Sequence, residues 1–358
     1  MIRPGRLNGV RTRRAGYTWI ELVMVVVVLA VVLAIGVPAL MMAREAARRM
    51  HCHGNLKLIV LSIHNYGTMY KVFPAGTVCT TGPIPPQNQY DVWGEAAKSG
   101  AGYDGTSFLV RVLPFLSGGT LTGGVGLNAG TQGAPGPFTA DEPTFYCPTR
   151  RNGLRRGDSA MMLASWWPGG GTDYGGCVGR QLAFDASSPS HNVLDAGAPN
   201  ATVFNVALPV PDAEDFYNPR GDCAKNRLGI FGRVNKSTSY AEIRDGLSNT
   251  IMIGELQRIT IADANHGGVN SLSHDGWAVG GDATGFTTGY GGPGVPINGQ
   301  PTPLMNNGFF QSPGSDHAGG ANFGMGDGSV RFVNTSVDPN TFALLGSMAD
   351  RLAVVTPE

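Results

Sequence analysis

The chain has 358 residues, with 26 basic and 26 acidic side chains and a formal charge of zero, which excludes a polybasic nucleic-acid binder and an acidic disordered tail. Its 42% hydrophobic content is enough for one large or two medium globular cores. The 53 glycines and 24 prolines make up about a fifth of the chain, too few for low-complexity disorder and without the G-x-y period of collagen.

Charge is unevenly placed. Residues 1–16 carry Arg3, Arg6, Arg11, Arg13 and Arg14 and no acid. Glu21 follows, and then Leu22 to Ala43 runs without a charge. As a helix these residues rise about 33 Å at about 1.5 Å each, enough to cross a hydrocarbon core of about 30 Å. The β-branched run from Val23 to Val32 is a poor helix former in water. Lipid reverses that preference, because the segment must satisfy its own backbone polar groups.

A secretory signal cut near Ala34-Ile35-Gly36 has a shorter apolar region, and the Arg13-Arg14 pair lacks the sequence that follows it in a twin-arginine signal. A plain anchor accounts for the length and the basic flank. It leaves Glu21 unexplained, since an acid within a membrane segment is costly and marks function.

Gly16-Tyr17-Thr18-Trp19-Ile20-Glu21 resembles the cleavage and methylation motif of type IV prepilins and type II secretion pseudopilins. Tyr17 stands where Phe is usual, and Trp19 where Leu is common. The resemblance implies a leader, residues 1–16, removed by prepilin peptidase after Gly16, and N-methylation of the new terminus at Tyr17. Glu21 then becomes the fifth residue of the mature chain and the assembly glutamate, and Pro38 the twenty-second, a helix-kinking position. It also implies an inner-membrane, single-pass protein with a cytoplasmic leader and a periplasmic or extracellular head. Its partners are the peptidase, the membrane and other pilin-like subunits. The physical logic is pairing in lipid: the α-amino group freed at Tyr17 is neutralised by Glu21 of a neighbouring subunit, making two costly charges tolerable together.

Beyond the apolar run, Glu45 stands three and four residues before Arg48 and Arg49, a helix-supporting arrangement. Leu56, Ile59, Val60, Ile63, Tyr66 and Tyr70 then form one apolar stripe. The pattern predicts a nearly continuous helix over 18–70, with Gly54 as a weak point and Phe73-Pro74 as its end. His51-Cys52-His53 carries metal-binding residue types. Helix neighbours two apart diverge by some 200°, so it reads instead as a solvated or lightly packed turn.

Residues 71–358 read as one head, giving an α+β fold: a long stalk helix of residues 17–70 packed on a mostly antiparallel sheet. The glycine-rich stretches Ser117–Gly136 and Gly267–Gly299 read as surface loops. Thr106–Leu116 fits either helix or strand. Ser239 and Glu242 offer a capping box for a short helix over Tyr240–Arg244, ended by Gly246. Ile251–Glu255 reads as a strand. Gly326-Asp327-Gly328, between two apolar alternations, predicts a hairpin with a type I′ turn. Asp338-Pro339 opens a last helix that Gly346 closes.

His317 precedes Asp327-Gly328 by nine intervening residues, resembling the H-x9-DG signature of a large bacterial prepilin-like family. Asp245-Gly246-Leu247-Ser248-Asn249-Thr250, Glu255 and Phe145-Tyr146-Cys147-Pro148 resemble that family's head, for which no activity is established. His317 is expected to pin its loop onto the following hairpin. Asp245, Asn249, Glu255 and Asp327 are the candidates for calcium, since carboxylates with an amide oxygen suit that ion, but turn chemistry alone explains both Asp-Gly pairs. No resident metal or cofactor is expected, and no catalytic residue.

Two alternatives compete with a filament subunit. One is an anchored ligand- or carbohydrate-binding head that stacks sugars on Trp166, Trp167 and Trp277. The other is an anchored hydrolase built on His274-Asp275 and Asp316-His317. Neither G-x-S-x-G nor H-E-x-x-H occurs. Five cysteines suit an oxidising compartment. With Cys52 on the stalk, the head's Cys79, Cys147, Cys177 and Cys223 allow three pairings that the sequence leaves open.

Overall fold

The computed structural model describes residues 16–78, 106–116, 140–153, 155, 170–179, 228–232, 237–258, 273, 275–278, 280, 283–288, 305–307 and 312–350. Helix α1, Trp19–Tyr70, runs unbroken through Pro38 and Gly54 for 52 residues. Its two halves have opposite environments. From Trp19 to Met42 the large apolar side chains are 40–79% exposed. From Cys52 to Gly67 one face is buried: Cys52, Asn55, Leu56, Ile59, Val60, Ser62, Ile63, Tyr66 and Gly67. The chain divides into two compact units after Ala47, placing that second half with the head. Tyr70, expected on the buried stripe, is 53% exposed. The helix ends there because Lys71 takes a left-handed φ of 63°, and Phe73 N–H then donates to Thr238 O.

A two-stranded sheet pairs β1 (Thr77–Val78) with β2 (Thr106–Ser107). The ambiguous segment therefore supplies both element types: Ser107 ends β2 and caps helix α2, Phe108–Val112, by accepting a hydrogen bond from Leu109 N–H. The main sheet contains β3 (Tyr174–Gly179), β4 (Ile251–Glu255), β5 (Gly285–Thr287), β6 (Gly320–Met325) and β7 (Val330–Asn334), in the order β5-β3-β4-β6-β7. Only the β3–β5 pair is parallel. Helix α3, Pro339–Leu345, starts as expected, with Asp338 accepting from Thr341 N–H.

The sheet lies between two apolar layers. On β6, Ala321, Phe323 and Met325 join Phe286, Phe342 and Leu345, while Gly324 lies against Val60 of α1. Successive residues face opposite sides of a strand, so one strand serves both layers. Glycine makes the α1 contact possible: a Cβ at Gly324 would sit 2.5 Å from Val60 Cγ2. Gly324→Ala is therefore expected to cost about 1–3 kcal/mol through overpacking. Gly54→Ala, with nothing within 4 Å of the added Cβ, should gain about 0.5–1 kcal/mol from helix propensity. Thermal melts of the two variants should move in opposite directions.

Two expectations need correction. The 267–299 stretch, read as a surface loop, contains the buried strand β5 and the fully buried Trp277 and Ala278. The glycines of the adjoining β3 are packing devices: a Cβ at Gly175 would meet Thr284 O at 2.9 Å, and one at Gly176 the Phe231 ring at 2.6 Å. The hairpin is present, but its turn is not type I′. Positive φ falls on Gly328 alone (90°), Gly328 N–H donates to Met325 O at 3.0 Å, and Met325 N–H to Ser329 O at 2.8 Å. This is the three-residue hairpin with a glycine bulge, in which only the last turn residue must be left-handed.

Candidate functional site

At the start of α1, Gly16 and Tyr17 precede the helix, and Tyr17 is 92% exposed. Thr18 and Glu21 form a reciprocal cap. Thr18 N–H donates to Glu21 Oε2 at 2.7 Å, Thr18 Oγ1 lies 2.9 Å from the same oxygen, and Glu21 N–H faces Thr18 Oγ1 at 3.4 Å. The T-x-x-E spacing before an apolar run is the signal for such a cap, and it was present in the sequence. Glu21 thus has a local role that the pairing argument had not assigned to it.

The second concentration of chemistry lies in the head, where the second half of α1 meets the turn 147–149 and strands β4 and β6. Cys52 and Cys147 are disulfide-bonded across 95 residues, with Cα atoms 5.3 Å apart. The three pairings confined to head cysteines missed this, because they left the stalk cysteine out. Cys52 is fully buried in a crosslink, while its neighbours in the turn read as solvated or lightly packed are exposed (His51) and half-buried (His53). Among the described residues Cys177 is a free, buried thiol, and burial pushes its pKa up to about 12. Cys79 and Cys223 lie outside them.

His317 and Glu255 complete the cluster. His317 Nε2 lies 3.4 Å from Glu255 Oε1 and 3.5 Å from Cys147 Sγ, while its Nδ1 lies 3.2 Å from Thr149 Oγ1. Glu255 Oε2 accepts from Asn322 N–H at 2.6 Å and from Asn322 Nδ2 at 3.2 Å. Its Oε1 is buried and accepts no hydrogen bond. His317 also contacts the 147–149 turn and β4, while its backbone N–H donates at 3.1 Å to Ser315 Oγ, which in turn donates at 2.8 Å to Gly320 O at the start of β6.

His317 and Asp327-Gly328 bracket β6, and both ends meet α1. The histidine stands in the Cys52 cluster, while Gly328 O accepts from Lys57 Nζ and a Cβ on Gly328 would lie 3.4 Å from His64 Nε2. Six strand residues span about 20 Å, and the twelve helical steps from Cys52 to His64 about 18 Å. The nine-residue spacing therefore matches a strand clamped to a helix at both ends.

The calcium candidates are not gathered. Asp245 Oδ2 accepts from Asp350 N–H at 2.8 Å, Asp327 Oδ1 from Ser329 N–H at 2.8 Å, and the Asn249 amide donates to Asp245 O at 3.2 Å. Among the described residues the convergent group of ligand-bearing side chains is Cys52, Cys147, Glu255 and His317, whose ligand atoms all lie within 4.8 Å of one another.

Beside this cluster lies a buried ion network. Arg151 pairs with Asp173 at 2.8 Å and Asp275 at 2.7 Å, Arg258 with Asp275 at 3.5 Å, and Arg150 with Asp173 at 3.6 Å and Asp316 at 3.2 Å. Asp173 Oδ2 accepts from Cys147 N–H at 3.0 Å, which couples the network to the disulfide. Burial alone would raise the Asp275 carboxyl, but Arg258 and Arg151 outweigh it and hold the group below the usual carboxylate range. Asp275, the acid of one hydrolase candidate, is thus committed to structure. Trp277 is fully buried and donates Nε1–H to Ala140 O at 2.9 Å, so it presents no stacking face. Trp166, Trp167 and His274 lie outside the described residues.

An N-terminal helix long and apolar enough to cross a membrane, joined to a head of α+β type, is the layout of a membrane-anchored, pilin-like protein. Over residues 41–340 the chain matches the family described as proteins of unknown function, DUF1559, and it belongs to that prepilin-like family. No curated protein and no solved structure matches it. The matched interval takes in most of the head and the later part of α1, and begins after the Gly16–Glu21 motif.

Proposed function

We propose that the protein is a prepilin-type structural subunit without enzymatic activity. Prepilin peptidase cuts it after Gly16 and Tyr17 is N-methylated. The exposed apolar half of α1 holds it in the inner membrane with the head in the periplasm. From there it assembles with other pilin-like subunits into a pilus or pseudopilus-like filament. The observation that carries this reading is an apolar helix with no buried residue through its membrane-length stretch, opening on the Gly16-Tyr17…Glu21 motif. An apolar surface of that extent requires lipid or other subunits to cover it.

The cap sharpens the test of Glu21. Gln can replace Glu at the third position of a capping box but carries no charge. Glu21→Gln should therefore leave the helix start and processing intact while filament yield falls at least several-fold, as it should in Glu21→Ala. Wild-type filament yield from Glu21→Gln would remove charge pairing and leave the cap as the residue's role. Processing itself is read by N-terminal sequencing of the membrane form. A start at methylated Tyr17 supports the proposal, and a start near Val37 indicates secretory cleavage.

A further inference from the structure

We propose that Cys52, Cys147, Glu255 and His317 form a zinc site in the reduced chain, and that the disulfide is the metal-free, oxidised form of the same site. The inference does not depend on filament assembly. Two thiolates, an imidazole and a carboxylate are a donor set suited to Zn²⁺ and ill suited to Ca²⁺. All four residues are buried. Four protein ligands without an open position make a structural site rather than a catalytic one.

The geometry supports this in three ways. With Zn–N and Zn–O bonds of about 2.0–2.1 Å and Zn–S of about 2.3 Å, the edges of a tetrahedron around zinc are about 3.3–3.6 Å for N···O and N···S pairs. The His317 Nε2 to Glu255 Oε1 and His317 Nε2 to Cys147 Sγ separations are 3.4 and 3.5 Å. The outer shell is also in place. Asn322 holds Glu255 Oε2 with two donors, and Thr149 Oγ1 stands beside His317 Nδ1, leaving Nε2 and Oε1 aimed at the cluster. Finally, Glu255 Oε1 is a buried carboxylate oxygen that accepts no hydrogen bond. Its near neighbour is His317 Nε2, 3.4 Å away, so carboxylate and imidazole face one another as two ligands of one ion would.

The chemistry balances with a dithiol as reductant. It supplies two electrons and two protons and leaves as its own disulfide, while the Cys52–Cys147 bond becomes two thiols. Zn²⁺ then displaces the two thiol protons and binds two thiolates. Either state ties the same point of α1 to the same turn of the head.

The test uses the full chain in detergent micelles, reduced with dithiothreitol and desalted without oxygen, then loaded with Zn²⁺ or with Co²⁺ as a spectroscopic probe. The expected result is one zinc per chain retained through gel filtration. With cobalt, the spectrum should show thiolate-to-metal charge transfer and the intense visible bands of a tetrahedral site. Thr149→Val should weaken affinity by about 10–100-fold, and a Cys79, Cys177 and Cys223 triple serine variant should still bind. A reduced wild-type chain that retains no stoichiometric metal overturns the proposal, as does a cobalt spectrum without thiolate bands or equal binding by Cys52→Ser. The wild-type spectrum requires no variant to fold.

Discussion

Asp275→Asn should destabilise the head by about 3–5 kcal/mol, the cost of removing one member of a buried ion network. Asp275 is fully buried, meets Arg151 at 2.7 Å and Arg258 at 3.5 Å, and accepts from Thr172 N–H at 2.9 Å. Arg151 retains Asp173 in the variant, but Arg258 loses its carboxylate partner at 3.5 Å. Since domains are stable by only about 5–15 kcal/mol, the urea midpoint should fall by a large fraction of its value. The pH dependence has a definite sign. A carboxyl whose folded pKa is depressed binds fewer protons when folded, so its contribution is complete above the unfolded value of about 3.9 and is lost as pH falls through the lower folded value. The difference between wild type and Asp275→Asn should therefore be constant at neutral pH and shrink only in acid below about pH 4. A variant with the wild-type midpoint at neutral pH would show that the network contributes nothing net.

The elements written in local chemistry were legible in advance. Helix α1, β4, the Ser239/Glu242 capping box, the β6–β7 hairpin and the Asp338 cap each follow from a short run of residues whose preferences agree with the fold. What stayed hidden depends on contacts between distant segments. Strand β3, Tyr-Gly-Gly-Cys-Val-Gly, has the composition of a loop, because its glycines answer to Phe231, Phe108 and Leu256 rather than to local propensity. The turn type depended on which of two glycines took positive φ, and a bulge and a type I′ turn share the same letters. The candidate site was half visible. Glu255 and His317 were both named, but Cys52 lies about 200 and 265 residues from them in sequence, so spacing could not join it to either. The Thr18–Glu21 cap could have been found, since its four-residue signal was complete.

Removing the crosslink in a Cys52→Ala/Cys147→Ala chain should cost about 2–5 kcal/mol, with the loop-closure value for 95 residues near the top, at about 4.7 kcal/mol. That loop encloses β1, β2, α2 and the whole buried face of α1, so its opening frees the unfolded chain more than a local crosslink would. The loss should appear in denaturant midpoints of the full chain. Reduction of the wild type with a chelator present should reproduce it within error, because both chains then lack a covalent or metal-mediated tie between α1 and the 147–149 turn. Zinc separates the two. It should restore part of the lost stability to the reduced wild type, since a ligand that binds only the folded state adds stability in proportion to the logarithm of its concentration over its dissociation constant. It should restore none to the double alanine chain, which retains Glu255 and His317 but offers no sulfur. A reduced, chelated wild type as stable as the oxidised chain would mean that packing of Leu56, Ile59, Val60 and Ile63 alone secures the helix.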